Sequence, residues 1–140
     1  MKAKFLLIVM SGLAATSFSQ KQGKERIDSL LTVLQSAKQD STKLNTLNAL
    51  AYTFRSNDPD TAIYYANEAL ALAKKTNDKK GIINAYLYGS IANMNLGAYE
   101  DALKGSMEAI KICDQLLQST AGSKEATEKY KILKLKAALT

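Results

Sequence analysis

Few side chains in this sequence could carry out chemistry, and histidine is not among them. Without histidine, the commonest general base, the commonest metal ligand and a Ser-His-Asp arrangement are all missing. The single cysteine, Cys113, cannot form an internal disulfide, and its apolar position in IKICDQLL indicates a buried small hydrophobe rather than a reactive thiol. The acidic pair Glu100-Asp101 begins a predicted helix, where the helix dipole favours negative charge. We therefore predict no catalytic residue, no metal site and no cofactor.

The composition predicts one helical domain that must position any binding residues. Of the 140 residues, 46% are hydrophobic and 7% aromatic, with one proline and seven glycines. So few helix breakers favour helices over a strand-and-turn fold. Apolar residues recur three, four and seven positions apart, the spacing of one apolar stripe on a helix. This pattern predicts six helices, over residues 24–37, 43–56, 60–75, 80–95, 99–118 and 124–139.

Two breaks separate the first three predicted helices. Asp40-Ser41-Thr42 interrupts the apolar pattern and is expected to supply a helix cap. Pro59 disfavours helix in the residue before it and fits the first turn of the helix that follows. The second and third helices are therefore expected to be separate elements joined by a short turn.

The first 19 residues have the features of a cleaved signal peptide. Lys2 and Lys4 form a basic start, a short apolar core follows, and residues 17–19 offer small side chains where a signal peptidase cleaves. The alternative is a membrane anchor, but about 14 apolar and small residues are fewer than the roughly 20 that span a bilayer. We expect cleavage before Gln20 and export to the periplasm or the extracellular space.

The charge of the chain does not indicate that it binds nucleic acid. The formal net charge is +6, and loss of the two leader lysines reduces it by two. The remaining lysines are scattered among Asp and Glu rather than gathered in one strip, so solubility accounts for the excess. We predict no nucleic-acid partner and no stable membrane span after cleavage.

Two predicted helical hairpins repeat each other. The pattern of residues 47–54 aligns with that of residues 85–92, 38 positions later. The pattern of residues 62–70 aligns with that of residues 102–110, 40 positions later. Gly97 marks the second turn, because glycine readily takes the left-handed conformation that ends a helix. Such a repeat gains stability by stacking on its neighbour.

At these positions the chain resembles the tetratricopeptide repeat (TPR) family. The family pattern has a bulky residue, Leu-Gly and Tyr in the first helix, then Ala, an aromatic residue and Ala in the second. The matching residues are Leu50-Ala51 with Phe54, Tyr88-Gly89 with Ala92, Ala62 with Ala69, and Ala102 with Ala109. The resemblance covers residues 43–117 and implies an all-α, right-handed solenoid of antiparallel helix hairpins.

The chain departs from the family pattern at several positions. Ala66 and Ser106 replace the aromatic residue, and Lys74 and Asp114 stand where proline often ends a repeat. The period near 40 exceeds the usual 34 or so. It resembles the period of long-helix variants in exported sensor and regulatory proteins.

The predicted organisation has four parts: a signal peptide (1–19), a flanking helix (20–42), two TPR-like repeats (43–118) and a final helix (119–140). We expect the final helix to cap the stack or to begin a third repeat. The alternative is a basic amphipathic helix for a membrane surface. Because an uncapped repeat end leaves apolar surface exposed, a homodimer through this helix is a further hypothesis.

The resemblance implies that proteins or peptides bind along the inner curve of the stacked hairpins, which the first helix of each repeat lines. Asparagine amides there could pair with a peptide backbone, and tyrosines offer rigid contact area. The alternative is a solvated polar face. The predicted binding residues are Asn45, Asn48, Tyr52, Arg55, Tyr86, Ser90 and Asn93.

Two functions follow from this interpretation. The first is a non-catalytic, exported scaffold for protein–protein interaction. The alternative is the sensory input segment of a membrane-linked signalling kinase or transcription regulator, with this chain as a fragment of a longer protein.

Overall fold

A computed structural model of the protein describes residues 23–119 and 124–139, without the side chain of Ala126. The predicted signal peptide and residues 120–123, between the fifth and sixth predicted helices, lie outside this part. The described residues are helical with short turns and contain no strand, which confirms the all-α prediction. The helices are α1 (residues 23–36), α2 (Asp40–Phe54), α3 (Pro59–Lys75), α4 (Lys79–Asn95), α5 (Tyr99–Ser119) and α6 (Lys124–Ala138).

The helix starts follow from residues that satisfy free backbone amides. Pro59 lies in the first turn of α3, and the Asp58 carboxylate accepts a hydrogen bond from the amide of Thr61 at 3.2 Å. The carboxylate of Asp78 accepts one from the amide of Gly81 at 2.9 Å, which caps α4. These are the bonds that an N-terminal cap is expected to make.

The start of α2 differs from the prediction. The helix begins at Asp40, so Asp40-Ser41-Thr42 is its first turn rather than the break before it. Gln39 is the capping residue, and it makes no side-chain hydrogen bond to the helix. The expectation of a side-chain cap here was therefore wrong. The side chain of Asp40 still lies in the first turn, where negative charge favours the helix dipole.

Two turns end in the same backbone arrangement. Asn77 after α3 and Gly97 after α4 have positive φ angles of 54° and 76°. The next amide in each turn then reaches back to the helix, from Asp78 to the Ala73 carbonyl and from Ala98 to the Asn93 carbonyl, both at 2.9 Å. This bonding closes a helix end through a left-handed residue. The predicted role of Gly97 is confirmed.

The described chain divides after Ser36 into two compact units. The first contains α1, an amphipathic helix on which Ile27, Leu30 and Leu34 are half-buried. The second contains α2 to α6, in which each helix packs against the next along the chain. In addition, α2 contacts α4 and α4 contacts α6, so the first helices of successive hairpins also touch.

Small residues lie where the helices of the second unit approach most closely. Ala62, Ala69, Ala102 and Ala109 are at most 4% exposed, as their spacing predicts. A Cβ atom added at Gly105 of α5 would lie 2.4 Å from the Ser90 hydroxyl oxygen of α4. These residues let neighbouring helices pack at short distance, because larger side chains would hold the backbones apart.

Cys113 is fully buried in a cluster that joins three helices. Its neighbours are Ile83 and Leu87 of α4, Ala109 of α5 and Ala137 of α6. This confirms the prediction of a small buried hydrophobe. Burial raises the pKa of the thiol above its ordinary value, Asp114 adds to the rise, and Lys134 opposes it. The thiol is therefore protonated at neutral pH and a poor nucleophile.

Candidate protein-binding surface

The structure does not bring the seven predicted binding residues together on one surface. Asn45 is exposed on α2, but Asn48 is 5% exposed, and its amide nitrogen lies 3.5 Å from the Gly81 carbonyl oxygen of α4. Ser90 is 2% exposed. The expectation that Asn48 and Ser90 are surface residues was therefore wrong. The other five residues reach the surface in different places, and their binding of a partner stays a prediction.

One groove runs between the first helices of the hairpins, and we call it the first-helix groove. It has a volume of about 480 Å³, and its walls come from α2, α4 and α6. Of the predicted binding residues, it contains Tyr52 and Arg55. Its lining is mostly apolar, with two cationic side chains and no carboxylate. The lining residues are Tyr52, Arg55, Leu87, Tyr88, Ile91, Met94, Leu133, Lys136 and Leu139.

An aromatic corner closes one side of the first-helix groove. The Arg55 guanidinium lies 3.6 Å from the centre of the Tyr52 ring and hydrogen-bonds the Tyr52 carbonyl. The Tyr52 ring meets that of Tyr88 edge to face, with centres 5.3 Å apart. The Asn95 side-chain amide donates to the Arg55 carbonyl at 2.7 Å. Stacking and the hydrogen bond to the Tyr52 carbonyl place the cation beside the two rings.

The ionisation of Tyr88 follows from this packing. Burial raises the pKa of its phenol above the ordinary 10.0, Tyr52 adds to the rise, and Arg55 opposes it. The phenol is therefore protonated at neutral pH and can donate a hydrogen bond. The first-helix groove thus offers apolar contact area, a phenol donor and positive charge.

A second groove lies on another side of α4, and we call it the lateral groove. It has a volume of about 380 Å³ between α3 and α5, with α4 as its floor. Tyr86, Ser90 and Asn93 of the predicted set line it. The remaining lining mixes small and charged residues: Ile63, Ala66, Asn67, Leu70, Ala85, Gly89, Asp101, Lys104, Gly105 and Glu108.

Ser90 marks where α4 and α5 meet at the floor of the lateral groove. Its hydroxyl oxygen is buried and has no hydrogen-bond partner among the described residues. It lies against Gly105, where an added Cβ would come within 2.4 Å. At Ser90, the floor of this groove is therefore a tight contact between α4 and α5.

Most of the apolar lining of the first-helix groove was not among the predicted binding residues. The missed residues on α4, Leu87, Ile91 and Met94, are four and three positions apart and form one stripe. Ala85 and Ala92, which are both buried, belong to another stripe of the same helix. A helix with two apolar stripes is covered on two sides, and this signal was present in the sequence.

Aromatic and apolar side chains make the first-helix groove suited to binding a partner. Within residues 23–119 and 124–139, no group of three or more His, Cys, Asp or Glu side chains is placed to hold a metal ion. In the same residues, no helix is both long and apolar enough to cross a bilayer. The first-helix groove has the features of a protein-binding surface: aromatic rings, apolar side chains and positive charge.

Stacked helix hairpins with a groove between their first helices define a helical-repeat domain, a class that typically binds proteins. The SusR N-terminal TPR domain family matches residues 13–119, and the chain belongs to this family. The match includes part of the predicted signal peptide and ends before α6. No curated protein and no solved structure gives a significant match.

Proposed function

We propose that this chain is a non-catalytic scaffold, exported from the cytoplasm, that holds a peptide segment of a partner protein in the first-helix groove. Membership of a TPR family supports protein binding in general. The lining of the groove supports this particular site, because it combines apolar side chains with positive charge. The observation that carries the proposal is the corner of Tyr52, Tyr88 and Arg55 beside an apolar floor.

The chemistry of the groove specifies the bound segment. Ile91 and Met94 offer contact to apolar side chains, since burial of apolar surface is the main source of binding free energy. Arg55 and Lys136 line the same groove and favour a carboxylate near those anchors. The partner segment is therefore apolar with at least one acidic residue.

A displayed library of random peptides, selected on the purified chain, tests this proposal. We expect enrichment of peptides that combine apolar and acidic residues. Binding of the enriched peptides should decrease at least tenfold in Ile91→Asp, which places an unpaired carboxylate in the apolar lining (about 1.4 kcal/mol or more). The matched control is Asn67→Asp in the lateral groove, which should bind as the parent chain does. Equal losses in both variants, or no enriched peptide, would overturn the proposal.

Export is the second part of the proposal. It depends on the basic start and apolar core of residues 1–19. Expression of the full chain in a bacterial host, followed by fractionation and N-terminal sequencing, tests it. We expect a mature protein that begins at Gln20 in the periplasmic fraction. An intact Met1 in the cytoplasmic fraction would contradict export.

A second candidate function is the input segment of a membrane-linked signalling protein. The observation that favours it is the family description, which defines an N-terminal domain. In such a protein, a ligand of the first-helix groove would act on domains that follow. Immunoblotting of the native protein distinguishes the two candidates, since a mass well above 15.2 kDa is expected only for the input segment.

A further inference from the structure

The helix α6 has one packed side and one exposed side. Leu133 and Ala137 pack inward on the cluster around Cys113, so this side covers the repeat as a capping helix does. The outer side carries three large apolar residues: Ile132, 54% exposed, Leu135, 61% exposed, and Leu139, 79% exposed. They are three, four and seven positions apart and form one apolar stripe along the helix. Packing within the described chain therefore leaves this stripe in water.

Lysines border the apolar stripe on both edges. Residues 129–139 contain four lysines and no carboxylate. Because a helix turns once every 3.6 residues, Lys129 and Lys136 lie along one edge of the stripe and Lys131 along the other. All three are exposed. The ammonium of the fourth, Lys134, lies 2.6 Å from the Asp114 carboxylate of α5, so this lysine belongs to the packed side.

The two carboxylates of α6 lie in its first half. Glu125 is in the first turn, and Glu128 lies four positions before Ile132. The Glu128 carboxylate is 3.1 Å from the Lys131 ammonium, but both side chains are more than half exposed, so this ion pair contributes little. The second half of α6 is therefore both apolar and positively charged. We call it the outer face of α6, and its residues are Lys129, Lys131, Ile132, Leu135, Lys136 and Leu139.

An apolar stripe between lysines matches the boundary between lipid headgroups and acyl chains. We propose that the outer face of α6 binds an anionic membrane surface. The three apolar side chains enter the acyl boundary. The lysine ammoniums stay at the headgroup phosphates, because their long stems extend past the apolar stripe. Such a helix lies on the membrane and does not cross it.

The outer face suits a lipid surface better than it suits other anionic partners. A nucleic acid would bind the lysines through its phosphates but would leave the apolar stripe in water. A specific protein interface uses roughly 20–30 residues on each side, far more than one side of a short helix offers. A lipid surface requires no matching shape. The family model ends at residue 119, so the outer face is a feature of this chain and not of the matched domain.

Co-sedimentation with vesicles tests the proposal. The chain is used from Gln20 onwards, since the apolar leader would itself enter lipid. We expect binding to vesicles of phosphatidylcholine and phosphatidylglycerol to be at least tenfold stronger than to phosphatidylcholine alone. Ile132→Gln/Leu135→Gln should weaken binding to the anionic vesicles at least tenfold, because two side chains no longer enter the acyl boundary. Lys129→Gln/Lys131→Gln should weaken it at least fivefold and leave binding to the neutral vesicles unchanged.

Two further double variants are the matched controls. Leu103→Gln/Met107→Gln removes two apolar residues of α5 that are 63% and 60% exposed. Lys79→Gln/Lys80→Gln removes two exposed cations at the start of α4. Both should bind the anionic vesicles as the parent chain does. Circular dichroism verifies that all four double variants are folded.

Three results would overturn membrane binding by the outer face of α6. The first is no binding to anionic vesicles, or equal losses in the controls. The second is retained binding in Ile132→Gln/Leu135→Gln, which would show adsorption by charge alone. The third is binding of this face to an acidic protein or a nucleic acid but not to lipid. The four substituted residues of α6 do not line the first-helix groove, so peptide binding is tested separately.

Discussion

The two grooves beside α4 differ in what their side chains do, although one helix contributes to both. Toward the first-helix groove, α4 presents Ile91 and Met94, which leave apolar area open above the buried Leu87. Toward the lateral groove it presents Gly89 and Ser90, and these small residues let α3 and α5 each pack close to α4. Large side chains on one side provide contact area for a partner, and small side chains on the other fix the spacing of helices. Substitutions on the two sides should therefore affect different properties.

The largest effect on stability is expected at the tight contact beside the lateral groove. Gly105→Val should lower the free energy of unfolding by about 3 kcal/mol, because its Cβ would lie 2.4 Å from the Ser90 oxygen and the buried Ser90 side chain or the two helices must shift. Urea denaturation measures the change. The control is Gln115→Val, an exposed position of the same helix. It should cost roughly 0.5 kcal/mol from helix propensity alone. Equal losses would show that the contact is not tight.

The next effect concerns binding in the first-helix groove. Met94→Glu should weaken peptide binding at least tenfold and leave the unfolding midpoint nearly unchanged, because Met94 lines the groove and is 39% exposed. Its neighbour Asn93 lines the lateral groove, so Asn93→Glu should preserve binding. Titration of the two variants with one selected peptide measures the difference. A larger loss of binding in Asn93→Glu than in Met94→Glu would show that the peptide binds in the lateral groove.

A smaller effect is expected from the cation at the aromatic corner. Arg55→Gln should weaken binding of an acidic peptide roughly fivefold and make binding less dependent on salt, because the attraction to the peptide carboxylate is lost. A peptide in which the acidic residue is replaced by its amide should bind both proteins equally. Isothermal titration at two salt concentrations measures both results. If peptide binding by Arg55→Gln depends on salt as strongly as binding by the parent chain, Arg55 does not recognise the peptide carboxylate.

The buried hydroxyl of Ser90 is not expected to stabilise the contact between α4 and α5. Ser90→Ala is expected to leave stability unchanged or to raise it by up to about 1 kcal/mol, since the hydroxyl has no partner among the described residues. The contrasting variant is Thr46→Val, because the Thr46 hydroxyl donates to the Thr42 carbonyl at 2.8 Å. That variant should lose up to about 1 kcal/mol in thermal unfolding. A large loss in Ser90→Ala would show that the hydroxyl has a partner after all.

The smallest expected effect is a dependence of the unfolding free energy on pH, which originates in the packed core. The pKa of Cys113 is raised above 9.0 in the folded chain, so the folded state keeps its proton where the unfolded state has released it. Stability is then fully present below pH 9.0 and falls as the pH rises above it. The pKa of Tyr88 adds a loss of the same sign above its ordinary 10.0. Urea midpoints across this range measure the decrease. Cys113→Ser should show a shallower decrease, and an identical slope would contradict the assignment to Cys113.

Local sequence patterns predicted the helices well. The bounds of α3 to α6 lie within one residue of those expected, because Pro59, Gly97 and the apolar periodicity act over a few residues. The burial of Cys113 also followed from its position in one apolar stripe. The start of α2 was missed by three residues, since Asp40 and Ser41 are compatible with a first helical turn as well as with a cap. Local preference alone does not separate those two placements.

The sequence alone determined the all-α fold, the order of the hairpins and the small residues at their contacts, because helix periodicity and turn residues are properties of neighbouring positions. The tertiary structure alone decided which side of α4 faces which groove. Both sides of α4 are apolar, so its pattern indicates no single inner face. The contacts with α2, α3, α5 and α6 make that choice, and they placed Tyr52 and Arg55 in one groove and Tyr86 and Asn93 in the other.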